Sequence, residues 1–146
     1  MNLQDWLNNG WLSKHQTSPQ EINNLLRVAE RDLKDCLSKG LSADWRLNIA
    51  YNAALQSSAA ALAAAGYRTS RDSHPYRVIQ SLSQTIGADI KLVVQFDRFR
   101  KKRNIGGYEM AGIVSDQEAD EMIELARQIK KQVELWLEDK YPEFLK

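Results

Sequence analysis

Residues Ser42–Gly66 read SADWRLNIAYNAALQSSAAALAAAG, and this stretch decides the fold. Ser42 with Asp44 behind it is a helix start, and no proline interrupts the run before Gly66. Leu47, Ile49, Ala50, Ala53, Ala54 and Leu55 give the first half an apolar side. The second half is almost wholly alanine and serine. Alanine has the highest helix propensity, and an alanine face lets a neighbouring helix axis approach toward the short end of the usual range of about 8–10 Å. A helix of this kind belongs at the centre of a bundle.

The flanking sequence predicts the helices that surround it. Upstream, Ser18-Pro19-Gln20-Glu21 sets a capping serine, a proline at the first helical position and a glutamate at the third. Ile22, Leu25, Leu26, Ala29, Leu33, Cys36 and Leu37 follow at helical spacing, with Gly40 as the expected stop. A short amphipathic helix is expected over residues 3–12, built on Leu3, Trp6 and Leu7. Downstream, a polar loop from Gly66 to Pro75 leads to a helix over 76–86 and, past Gly87, to another over 88–103. Ile90, Val93, Val94, Phe96 and Phe99 are its residues available for burial, and Gly106-Gly107 is its expected break. Ser115-Asp-Gln-Glu118 is a capping box. It opens a last long helix with a stripe of Ala119, Met122, Ile123, Ala126, Ile129, Val133, Trp136 and Leu137. No strand-like alternation stands clear of a helical pattern. The fold class is therefore all-α, an antiparallel up-and-down bundle of four or five helices in one domain over residues 1–146.

Composition removes several classes of function. The chain has 146 residues and a formal net charge of +1, so attraction for a polyanion has to arise locally. A single cysteine, Cys36, rules out a disulfide within the chain and a cysteine-rich metal site. Its place in an apolar stripe makes it a core residue. No signal-peptide pattern opens the chain and no run approaches the ~20 apolar residues of a membrane span, so the expected location is cytoplasmic, without membrane contact. No metal-ligand spacing, nucleotide-binding glycine loop or nucleophile–histidine set is present, and no cofactor is expected.

The concentrated chemical signal is Arg98-Phe-Arg100-Lys101-Lys102-Arg103. Five cations in six residues suit a helix C-terminus, whose partial charge is negative, and they also suit phosphate, since Lys and Arg contacts dominate nucleic-acid affinity. The run leads into Asn104-Ile-Gly-Gly-Tyr108, where glycines let backbone come close to a ligand. The loop upstream adds Arg68, Arg71, His74 and Arg77. His74 is one of two histidines in the chain, with His15, and imidazole changes charge near neutral pH.

The stretch from Phe96 to Glu109, with Ile49–Gln56, the Gly66-Tyr-Arg loop and His74, resembles the HEPN domain family over roughly residues 18–140. The resemblance implies a four-helix bundle, commonly dimeric. Members of the family include metal-independent ribonucleases, often toxins or defence effectors, and non-catalytic partners of small nucleotidyltransferases. The nuclease signature is an arginine, often followed by asparagine, then a histidine a few residues on. Carried over, Arg103 takes the arginine position and Asn104 the one after it, while Tyr108 stands where the histidine is expected. A tyrosine of pKa near 10 is protonated at neutral pH, which removes the usual proton carrier but leaves a hydrogen-bond donor and a stacking ring.

The expectation is accordingly a HEPN-like homodimer that binds RNA or nucleotide phosphates, in a toxin–antitoxin or defence setting. Arg103 and Tyr108 would sit at the centre, with Arg98, Arg100, Lys101, Lys102, Asn104, His74 and Arg71 as phosphate or RNA contacts. The alternatives are a metal-independent ribonuclease using Arg103 with Tyr108 or His74, and a protein partner of a nucleotidyltransferase.

Overall fold

A computed structural model describes residues 2–70, 74–108 and 113–145, the side chains of 104–108 lying outside the description. The order of elements is α1 (Leu3–Asn8), β1 (Leu12–Lys14), α2 (Pro19–Asp35), α3 (Ala43–Ala64), β2 (Tyr67–Thr69), α4 (His74–Ser81), α5 (Ile90–Tyr108) and α6 (Asp116–Lys140), closed by a 3₁₀ turn, Pro142–Leu145. The protein is a helical bundle carrying one small two-stranded sheet.

The alanine-rich helix is the axis of the bundle, packing most extensively against α6 and α2 and also against α4 and α5. Ala50, Ala53, Ala54, Ala60 and Ala61 are fully buried in it, and Ala119 and Ala126 are fully buried in α6. Two serines also lie inside α3. Ser57 and Ser58 donate their hydroxyls to the carbonyls of Ala53 and Ala54 at 2.9 and 2.8 Å, so burying them leaves no donor unmet. Larger side chains close the remaining space. Phe96 of α5 meets Tyr51 of α3 edge to face, with ring centroids 5.6 Å apart, a favoured aromatic geometry.

Long helices alternate in direction. Asp32 near the end of α2 accepts from Asn52 in the first half of α3 at 2.6 Å. Arg46 at the start of α3 bridges Asp120 and Asp116 at the start of α6, at 2.7 and 2.8 Å. Lys102 near the end of α5 pairs with Glu118 at 3.3 Å. One end of the bundle thus collects the end of α2, the start of α3, the end of α5 and the start of α6.

Both capping serines act as expected. Ser18 accepts from the Glu21 amide, and Ser115 forms a full capping box with Glu118. Several boundaries are corrected. The segment 3–12 is helical only to Asn8; Leu12–Lys14 instead pairs antiparallel with Tyr67–Thr69, Leu12 facing Thr69. A three-residue strand is too short to show a period of two, and Gly66, at φ 98°, turns the chain out of α3 and back onto β1. α2 stops at Asp35, before Gly40, leaving Leu37 exposed. The helix expected over 76–86 covers His74–Ser81. The one expected over 88–103 begins at Ile90 and continues through Gly106-Gly107 to Tyr108. Glycine costs only about 1 kcal/mol in a helix interior and does not end one by itself. Ile90 and Val94 face outward, whereas Val93, Phe96 and Phe99 are buried.

Candidate functional site at the converging helix ends

The end where α2, α3 and α5 meet holds an open cleft of about 380 Å³. α2 contributes Arg31 and Asp32, α3 contributes Trp45, Asn48, Ile49 and Asn52, and α5 contributes Arg103. The four α3 residues recur every three or four positions, which sets them on one helix face.

Among the described residues, Arg103 is the sequence-predicted one that enters this cleft. Its Cζ lies 5.0 Å from the centroid of the Tyr51 ring, a cation–π contact. Its Nε is buried without a hydrogen-bond partner. Asp32, the carboxylate lining the same cleft, is already occupied. It accepts from Arg31 Nε at 3.1 Å and Nη2 at 3.0 Å, and from Asn52 Nδ2 at 2.6 Å. Among the described residues Arg103 makes no ion pair. Tyr51 beneath it carries a buried hydroxyl that also lacks a partner, and burial pushes that phenol up to about 12, so it stays protonated.

Helical geometry scatters the rest of the basic run. At about 100° per residue, six consecutive positions circle the helix. Arg100 donates to Asp97 at 2.7 Å and lies over the Tyr76 ring at 5.4 Å. Lys101 approaches the same carboxylate at 3.7 Å, Lys102 is held by Glu118, and Arg98 is exposed outside the cleft lining. The side chains of Asn104 and Tyr108, and Arg71 altogether, fall outside the described residues.

His74 lines a different cavity, of about 180 Å³, together with His15, Glu21 and Arg68. Its Nδ1 is 2.6 Å from the Thr69 hydroxyl, and burial holds its pKa below the ordinary histidine value. Glu21 receives His15 Nε2 and the Thr17 hydroxyl, both at 2.6 Å. Burial opposes ionisation of Glu21, but the Thr17 and His15 hydrogen bonds and the fields of His15 and Arg68 outweigh it and keep the carboxyl below its usual value. Within one chain the structure therefore does not bring His74 and Arg103 into one cavity.

Sequence reading missed Trp45, Asn48, Asn52 and Arg31. The signal was present: a tryptophan and two asparagines recurring at helical spacing down one side of an otherwise alanine-rich helix. Trp45 is 62% exposed, unusual for a large ring beside a cleft. Among the described residues no group of three or more potential metal ligands converges, and no helix is long and apolar enough to cross a membrane. No protein-family model, curated protein or solved structure matches the chain.

Proposed function

We propose that the protein is a HEPN-like module that binds RNA or nucleotide phosphates in the cleft around Arg103. The observation that carries this reading is the state of Arg103. A guanidinium whose Nε is buried without a partner is costly to keep; the same side chain lines the open cleft, where an anion would offset its charge. Arg31 adds a second cation at the mouth and Trp45 an exposed ring for stacking a base; Asn48 and Asn52 line the cleft between them, their amides donating to the Asp44 carbonyl at 2.9 Å and to Asp32 at 2.6 Å. Charged and stacking groups are what phosphate and base recognition require.

Binding is favoured over cleavage, because the imidazole nearest in sequence, His74, opens onto a separate cavity. The HEPN resemblance further proposes a two-fold dimer with facing Arg103 clefts, which sedimentation at micromolar concentration tests through the mass of the particle. Fluorescence anisotropy with labelled RNA tests the binding itself. Arg103→Ala is expected to weaken it at least tenfold, and the dependence of log K on log[salt] is expected to lose about one unit of slope per phosphate contact removed. Equal affinity in the variant would remove the proposal.

A further inference from the structure

We propose that the cavity lined by His15, Glu21, Arg68 and His74 is a second binding site, independent of the Arg103 cleft, for a free aliphatic amino acid. Arg68 takes the carboxylate of this ligand, Glu21 its ammonium group, and the apolar floor of the cavity its side chain.

The cavity lies toward the far end of α3 from Arg103, and the hydrogen bond from Gln56 Nε2 to Asn52 Oδ1 at 3.1 Å stands between the two. Its floor is apolar. Ala59, Leu62 and Ala63 of α3 meet Leu25 of α2 and Val78 of α4 there, and Leu62, Ala63 and Val78 are buried. Between Leu25 and Val78 the α3 wall carries alanine at 59 and 63, and a methyl group leaves room that a larger side chain would fill. Close-packed interiors hold few voids larger than a water molecule. A cavity of about 180 Å³ is well above that size. It is also below the roughly 300–1,000 Å³ of pockets for drug-sized ligands, so it suits a small molecule and not a nucleotide.

The lining adds one fixed anion and one fixed cation. His15 Nε2 and the Thr17 hydroxyl both meet Glu21 at Oε1, at 2.6 Å each. That fixes the carboxylate and leaves its second oxygen, Oε2, without a partner among the described residues. Despite burial, these hydrogen bonds hold the carboxyl below its usual value, so it is ionised at neutral pH. Arg68 is exposed on β2 and makes no ion pair among the described residues. Its field acts on Glu21, yet the two side chains form no salt bridge. His74 contributes a ring that burial keeps uncharged, with Nδ1 committed to Thr69. A simple carboxylate in this space would meet Glu21, and a simple amine would meet Arg68, each a like charge. A purely apolar molecule would leave both charges unanswered. An amino acid carries its two charges on one carbon and answers both through charge-assisted hydrogen bonds, while an aliphatic side chain covers the floor.

Titration calorimetry of the full chain with L-leucine tests the site. Isoamylamine is the same molecule without the carboxylate, isocaproate the same without the amine, and glycine lacks the side chain. L-leucine is expected to bind at least about tenfold more tightly than any of these probes. Arg68→Ala is expected to lose about tenfold in affinity for L-leucine and to bind isoamylamine no less well. Glu21→Gln is expected to lose L-leucine similarly and to bind isocaproate no less well. Ala59→Leu, which fills the cavity, is expected to abolish binding, with circular dichroism confirming its fold. Arg103→Ala is expected to bind L-leucine as the parent does, whatever it does to RNA. The site is overturned if L-leucine does not bind at millimolar concentration, or if Arg68→Ala or Ala59→Leu keeps the parent's affinity for it. Equal binding of isoamylamine or isocaproate would make this a plain amine or carboxylate pocket and overturn the amino-acid assignment. Loss of L-leucine in Arg103→Ala would overturn its independence from the cleft.

Discussion

Arg103 reaches across from α5 to lie over Tyr51 of α3, guanidinium carbon to ring centroid 5.0 Å, and each of the two residues carries a buried polar atom with no partner. The pair is held by packing and by the cation–ring attraction, not by hydrogen bonds. That arrangement suits a residue kept ready for an incoming anion. It also separates function from stability: Arg103→Ala is expected to abolish most RNA binding while shifting the urea midpoint by no more than about 1 kcal/mol equivalent, the range of exposed-to-intermediate cation–π contacts. A large loss of stability would mean that Arg103 is structural.

Tyr51→Phe removes the unpartnered hydroxyl and keeps the ring. An unsatisfied buried polar group costs about 1–3 kcal/mol, so this variant is expected to be as stable as the parent or more so by urea unfolding. Phe96→Ala, which empties the site facing Tyr51, is expected to cost about 3–5 kcal/mol. A strong destabilisation by Tyr51→Phe would show that the hydroxyl has a partner in solution.

The alanine axis is expected to resist enlargement. Ala60 is fully buried, and Ala60→Leu should destabilise by roughly 1–3 kcal/mol or more through overpacking. Ala59 is only half-buried, so the same enlargement there should cost little. Thermal unfolding of the two variants side by side checks the contrast; equal losses would mean that α3 is not packed on the face described.

His74 makes the fold sensitive to mild acid. Its folded pKa lies below the ordinary value because burial disfavours the charged ring. The unfolded chain therefore takes up its proton first as pH falls. The contribution is fully present above the unfolded value near 6.5 and is lost as pH drops through the folded value. Urea midpoints measured from neutral pH down to about 5 should decline, and His74→Gln should flatten that decline. An unchanged slope in the variant would place the sensitivity elsewhere.

Arg46 ties the starts of α3 and α6 through two aspartates that are themselves largely exposed. Pairs of that kind contribute about 0–1 kcal/mol each. Arg46→Met is expected to lower stability modestly, with the gap narrowing as salt is raised. A salt-independent loss would point to packing of the arginine stem instead.

Much of the secondary structure was legible because it is written locally. The caps at Ser18 and Ser115 lie within four residues of what they bind, and the stripe on α6 needs only its own period. β1 and β2 were not legible: three residues hold no readable period, and their pairing joins positions far apart in the chain. The run through Gly106-Gly107 was misread because glycine weakens a helix without stopping it. At the candidate site Arg103 was found through its charged neighbours, yet those neighbours turn away from the cleft, while Trp45 and Asn52 were passed over as ordinary positions of an alanine-rich helix.

The sequence by itself determined that this chain is a helical bundle with α3 at its axis, because propensity, capping and apolar period are properties of contiguous residues. Only the tertiary structure decided which of five clustered cations faces a cleft, and that His74 does not share it. A helix sends successive side chains in different directions, and what each one meets depends on the elements packed alongside.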